Sequence, residues 1–163
     1  MSWYMGIDPG TSGAALVLPE CPSVVTELNQ DNSCRFCKCT EKDIIEWFHK
    51  VCDRCGGDVK AVIEKVTPYP VQWRGSIASF KLGVSYGFVR CCLLSNNIQI
   101  QPVRPQDWQS KMQCMSKGDK KVIRARAQEL FPRCKFTVDT ADALVIAEYC
   151  RRFFKGIGYD RVD

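Results

Sequence analysis

Apolar and polar positions along the chain outline its elements before any single residue is considered. Residues 5–18 open with small apolar side chains and meet one acid, Asp8. They turn at Pro9-Gly10 and resume an apolar run after Gly13. This spells strand, tight turn and returning strand. Ser23–Leu28 reads as a third strand, antiparallel to the second, and residues 29–39 as a polar, Cys-rich loop. Thr40-Glu-Lys-Asp43 has the form of a capping box with Asp in place of Glu. It opens a helix in which Ile44, Ile45, Phe48 and Val51 recur at helical spacing, and Gly56-Gly57 stops that helix. Val59–Val66 is predicted as a strand with Val62, Glu64 and Val66 on one face.

A long helix is predicted from Ser76 to about Leu94. Ile77, Phe80, Val84, Phe88 and Cys91 form its stripe, and Ala78, Leu82, Val89 and Leu93 widen it. Gly83 and Gly87 leave a smooth patch, suited either to tight packing on the chain's own sheet or to a subunit interface. Ile98–Val103 alternates as another strand. Pro105 starts a short amphipathic piece containing Trp108. Gly118-Asp119 precedes a helix with Ile123, Ala127 and Leu130 inward and its basic residues outward, ended by Phe131-Pro132. The last helix opens at Val138. The order predicts an α/β fold: a three-stranded antiparallel meander continuing into parallel strands, flanked by helices.

At 163 residues the chain suits a single domain with one sizeable core. No uninterrupted apolar run approaches the ~18 residues of a membrane span, and no basic-then-apolar leader opens the sequence. The expectation is a soluble, intracellular protein in a reducing compartment. A net charge of +5 favours a polyanionic partner, and Lys111, Lys117, Lys120, Lys121, Arg124 and Arg126 gather late, followed by Arg151, Arg152 and Lys155. Charge runs are usually only solvated helix faces, so this signal needs support from chemistry.

Eleven cysteines are an odd number, and reduced thiols are the default. Cys34-x-x-Cys37 and Cys52-x-x-Cys55 nearly match a zinc-ribbon spacing. The intervening helix, about 18 Å long, would hold the pairs apart unless the loop carrying Cys34, Cys37 and Cys39 folded back along it. A structural zinc at Cys34, Cys37, Cys52 and Cys55 is therefore the disfavoured alternative to core thiols.

Four acids stand out. Asp8 ends an apolar strand and Glu64 studs another, where a carboxylate is costly without water, a cation or a metal. Asp139 and Asp142 are three apart at a helix start, where the helix dipole favours their ionised forms; an N-cap and a first-turn acid would explain those two alone. If all four converge, their repulsion calls for cations, and hard oxygen ligands suit Mg²⁺ or Mn²⁺. Paired ions of this kind serve phosphodiester hydrolysis.

Four motifs then occur in order across nearly the whole chain. They are Ile7-Asp-Pro-Gly-Thr-Ser-Gly-Ala14, Val62-Ile-Glu-Lys-Val66, Phe80-Lys-Leu-Gly83 with Gly87, and Asp139-Thr-Ala-Asp-Ala-Leu144. Together they resemble the RuvC family of Holliday-junction resolvases, of the RNase H-like superfold. Ser85-Tyr-Gly-Phe88, Gly118-Asp-Lys-Lys121 and Ala147-Glu-Tyr149 are similar to its phage and organellar branch. The resemblance implies a homodimer, joined through the helix 76–94, that cuts four-way DNA junctions with paired symmetric nicks leaving 5′-phosphates. It implies Asp8, Glu64, Asp139 and Asp142 as catalytic metal ligands, and Lys120 or Lys121 beside the scissile phosphate. Lys81, Lys111, Lys117 and Arg124, with Tyr69, Trp73 and Arg74, are the expected DNA contacts. An aromatic just after the catalytic glutamate can stack at the opened junction. Here Thr67 takes that place and Tyr69 follows, and the Cys34–Cys55 region has no counterpart in the family pattern.

Three other readings compete. One is another RNase H-like nuclease, acting on RNA–DNA hybrids or flaps. A second is a non-catalytic junction-binding module. The third is an actin-type or sugar-kinase ATPase, whose phosphate hairpin the Asp8 turn also resembles but whose two-domain clamp needs a longer chain.

Overall fold

A computed structural model describes residues 1–67 and 75–159, and the alternation read from the sequence becomes one five-stranded sheet with helices on both faces. The strands are β1 (Trp3–Asp8), β2 (Ala14–Pro19), β3 (Ser33–Arg35), β4 (Val59–Glu64) and β5 (Gln99–Val103), lying in the order β3-β2-β1-β4-β5. β1–β2 and β2–β3 are antiparallel, whereas β1–β4 and β4–β5 are parallel. The mixed α/β sheet predicted from the element order is thus the one observed.

The helices are α1 (Glu41–Arg54), α2 (Ser76–Ser95), α3 (Pro105–Lys111), α4 (Lys120–Leu130) and α5 (Val138–Lys155). The two-residue period of the strands divides the core. Tyr4, Leu16, Leu18 and Val62 face Trp108, Ile123, Leu130 and Leu144 from α3, α4 and α5. Met5, Ile7, Val17, Ala61 and Ile63 face Phe48 and Val51 of α1 and Val89 and Leu93 of α2. Asp8 and Glu64 share the parity of Tyr4 and Val62, so both turn toward α5.

One contact sets the depth of α5. A Cβ on Gly6 would lie 2.1 Å from the Ala147 nitrogen and 2.3 Å from the Ala143 oxygen. Helix backbone therefore rests directly on the middle of β1, an approach that only glycine allows. At the start of α1 the capping box forms as read: the Thr40 nitrogen donates to Asp43 at 2.8 Å, and the Asp43 nitrogen to Thr40 Oγ1 at 3.2 Å. Gly56 and Gly57 follow with φ of 62° and 76°.

The third strand is not Ser23–Leu28. Pro22 starts a 3₁₀ turn over Pro22–Val24, and the next residues cross to the segment before α5, where Lys135 and Thr26 pair at 3.0 Å. Pairing with β2 waits until the Asn29–Asn32 turn has reversed the chain, so β3 arises inside the Cys-rich loop. Proline's fixed φ and the two asparagine turns outweigh the β preference of Val24 and Val25.

Three basic residues expected at the surface are buried. Arg126 Nε donates to the Met112 oxygen at 2.8 Å, while Arg151 and Arg152 both clasp the buried Glu148. Lys155 pairs with Glu20 at 2.7 Å. Helix α2 departs in the opposite sense. Its C-terminal Val89, Cys92 and Leu93 pack on the sheet, but Ile77 and Phe80 are 71% and 73% exposed and Val84 is 50% exposed. Gly83 and Gly87 face open space, so packing on the chain's own sheet does not account for them. By length and composition α2 is also apolar enough to cross a membrane, contrary to the expectation from counting uninterrupted runs. Lys81, Arg90 and the serines interrupt the run without offsetting its average.

All eleven cysteines are free thiols. Cys34, Cys52 and Cys55 lie in the core between α1 and the sheet, whereas Cys37 is exposed and lies against Asp139 of α5. Cys37 thus stands apart from the other three thiols of the zinc alternative, 4.0 Å from the Asp139 carboxylate, and among the described residues no group of three metal donors is drawn together there.

Candidate active site

β1 and β4 run side by side in parallel, with Ile7 opposite Ile63. Asp8 and Glu64 come one step later on each strand, at its C-terminal end, and neighbouring strands lie about 4.8 Å apart. The turn after Asp8 is shaped around its carboxylate. The Gly10 nitrogen donates to Asp8 Oδ1 at 3.2 Å, and a Cβ on Gly13 would strike the Asp8 carbonyl oxygen at 2.1 Å. Behind the turn, Ser85 of α2 donates to the Pro9 oxygen at 2.7 Å.

Asp142 enters from the first turns of α5, the helix that Gly6 admits onto β1. Burial and the neighbouring Asp8 carboxylate raise its pKa to about 6. Glu64 is pushed further, to about 7, by burial and then by Asp8, with a smaller push from Asp142. Asp8 itself is raised, chiefly by burial, against the opposing pull of the Gly10 N–H and Lys120. The three carboxyls thus feel one another and the same cation. Lys120, at the start of α4, lowers the pKa of all three. Lys121 differs: its backbone N–H is held by the Asp119 cap at 2.9 Å.

Asp139 is placed differently from Asp142. Three residues turn a helix about 300°, so the two side chains diverge by about 60°. Asp139 leans toward β3, where Arg35 lies 3.9 Å and the Cys37 thiol 4.0 Å from its Oδ2. The structure therefore brings Asp8, Glu64 and Asp142 into one electrostatic group and sets Asp139 at its margin.

Trp108, one of the largest fully buried side chains, donates its indole N–H to Glu64 Oε2 at 2.7 Å. Sequence reading placed it only in an amphipathic piece. The signal available was indirect: a buried Trp N–H needs an acceptor, and an acid on an apolar strand needs a donor. Among the expected DNA contacts, Lys81, Lys111, Lys117 and Arg124 are exposed. Lys117, in the left-handed conformation, leads into the Asp119 cap of α4, and Arg124 lies one turn beyond Lys120. Lys111 lies over the rings of Tyr149 and Tyr159. Tyr69, Trp73 and Arg74 lie outside the described residues.

Among the described residues, no three acidic, Cys or His side chains are drawn together closely enough to grip an ion as they stand. The donor set nevertheless fits a hard divalent cation. Its members are carboxylate oxygens, and the burial and repulsion that raise their pKa values are what a cation among them would relieve.

No family model and no curated protein sequence matches the chain. Solved structures do. A Thermus thermophilus RuvC in complex with a Holliday junction substrate superposes with a TM-score of 0.62 at 15% identity, covering 97% of this chain and 98% of that one. A second structure of Thermus thermophilus RuvC matches with a TM-score of 0.62 at 16% identity, over 96% and 98% of the two chains. The fold is RuvC-like over nearly its whole length.

Proposed function

We propose that this chain is a single-domain, divalent-metal-dependent DNA endonuclease that resolves four-way junctions by paired symmetric nicks. The observation that carries this reading is the arrival of Asp8, Glu64 and Asp142 from β1, β4 and α5 beside Lys120. They do so in a fold shared with a RuvC seen on a Holliday junction.

Asp8, Glu64 and Asp142 are the residues that would hold Mg²⁺ or Mn²⁺, with Asp139 joining once it exchanges Arg35 for the ion. When bound, such ions activate water and stabilise the leaving oxygen of a phosphodiester. The chain's own groups do the positioning. The Gly10 N–H fixes one oxygen of Asp8, and the Trp108 indole fixes one of Glu64. Gly10 and Gly13 keep side chains away from the approach to Asp8. Lys120 presents its ammonium where a phosphate would add negative charge, with Lys117 and Arg124 flanking it for backbone contacts. The exposed apolar face of α2 supports a homodimer, which paired nicks require.

The test is cleavage of a synthetic four-way junction beside linear duplex and RNA–DNA hybrid, with Mg²⁺ or with EDTA. Paired symmetric nicks in the junction alone are expected. They should be lost with EDTA and in Asp8→Asn, which still binds the junction. Cutting of the hybrid instead would identify a different RNase H-like nuclease, and junction binding without any cut by the wild type would leave a binding module.

A further inference from the structure

The segment from Cys34 to Cys39 belongs to neither the metal ligands nor the α2 face, yet it touches the site from two directions. Its backbone joins the Asp8 hairpin: Arg35 pairs with Ala14 across β2–β3, and the Phe36 nitrogen donates to the Gly13 oxygen at 3.0 Å. Its side chains reach α5 through the contacts of Arg35 and Cys37 with Asp139. At its two ends, the sulfurs of Cys34 and Cys39 lie 3.6 Å apart.

We infer that Cys34 and Cys39 are a thiol–disulfide pair, whose closure fastens this strap between the Asp8 hairpin and the first turn of α5. A disulfide needs its sulfurs at about 2.05 Å, so closure draws the two sulfurs about 1.5 Å nearer across the Phe36–Lys38 turn. Both cysteines line a groove of about 700 Å³, walled also by Lys38, Trp47 and Thr137, which admits a small reagent. Cys39 is partly exposed and Cys34 is buried, so Cys39 is the sulfur a reagent meets first.

With a low-molecular-weight disulfide as oxidant the exchange balances. The Cys39 thiol displaces one half of the reagent as a thiol and forms a mixed disulfide. The Cys34 sulfur then attacks Cys39, the second half leaves, and its thiolate carries away the Cys34 proton. The chain loses two hydrogens and the reagent gains them. The bond encloses Arg35 and Cys37 in a short covalent loop and restrains Arg35 where it meets Asp139.

The experiment treats the full chain with excess glutathione disulfide, alkylates the remaining thiols, and maps the peptides by mass. Expected are a Cys34–Cys39 link, its retention in Cys37→Ser and its loss in Cys39→Ser. The amides of the strap should also exchange hydrogen several-fold more slowly in the linked form. Alkylation of both Cys34 and Cys39 after oxidation, a link made by Cys37 instead, or unchanged exchange in the linked chain would overturn the inference. None of these readouts depends on nuclease activity.

Discussion

Trp108 meets Glu64 across 44 positions of sequence, and its indole N–H takes one lone pair of Oε2 and fixes the orientation of the carboxylate. A neighbour that orients a metal ligand typically matters 10- to 100-fold. Trp108→Phe keeps an aromatic ring in the buried site and removes the donor. It is expected to lower the nicking rate about tenfold and to raise the Mg²⁺ concentration needed for half-maximal rate. Nicking rates across a Mg²⁺ series, with circular dichroism to show that the fold is kept, check this. A variant with the wild-type Mg²⁺ dependence would reduce Trp108 to packing. The separation of Asp139 from Asp142 is a lesson at the same scale. Spacing of three places two acids near one face of a helix, but the partner across that face decides where each points. Arg35 draws Asp139 away, and no local pattern announces that pairing.

At the scale of elements, most of what positions the site was legible. Asp8 at the end of its strand and Glu64 on the Val62 face of another were readable from the sequence, and the Thr40 box and Asp119 marked the starts of α1 and α4; that the two acids end neighbouring parallel strands was not. What misled was local preference without its partner. Val24 and Val25 suggested a strand that Pro22 and the Lys135 segment pre-empt, and Arg151 and Arg152 suggested a basic surface that Glu148 draws inward. The seat of α5 on Gly6 gives a sharp expectation. Gly6→Ala places a methyl against helix backbone that cannot step aside, so α5 must lift together with Asp142. A loss of about 3 kcal/mol or more in urea unfolding is expected, and nicking should fall with it. Helix α2 offers a second. Phe80→Asp should convert a dimer to a monomer by light scattering while leaving the circular dichroism spectrum intact. A wild-type chain already monomeric at micromolar concentration would remove the interface.

For the whole molecule, the clustered carboxyls set how stability responds to pH. Folding raises Glu64 from 4.5 to about 7 and Asp142 from 3.8 to about 6. Between roughly pH 4 and 7 the folded chain therefore binds more protons than the unfolded chain, and stability falls as pH rises through that window. Each pKa unit is worth about 1.4 kcal/mol, so shifts of roughly two units in each group set an upper bound of about 6 kcal/mol on the loss. Urea unfolding at pH 5 and pH 8 should show the metal-free chain weaker at pH 8, with Mg²⁺ restoring more stability there than at pH 5. A metal-free stability that rose over this interval would contradict the clustering of the acids. The outer strands of the sheet have a further consequence. β3 is three residues long, and Pro102 gives β5 a position with no N–H, its carbonyl taken by the Gln101 side chain at 3.1 Å. Neither border offers a long row of open hydrogen-bonding groups to a strand from another copy. Crowded copies are thus steered away from fibril growth by sheet extension, and the proposed association through α2, as a meeting of like faces, would close on itself as a pair.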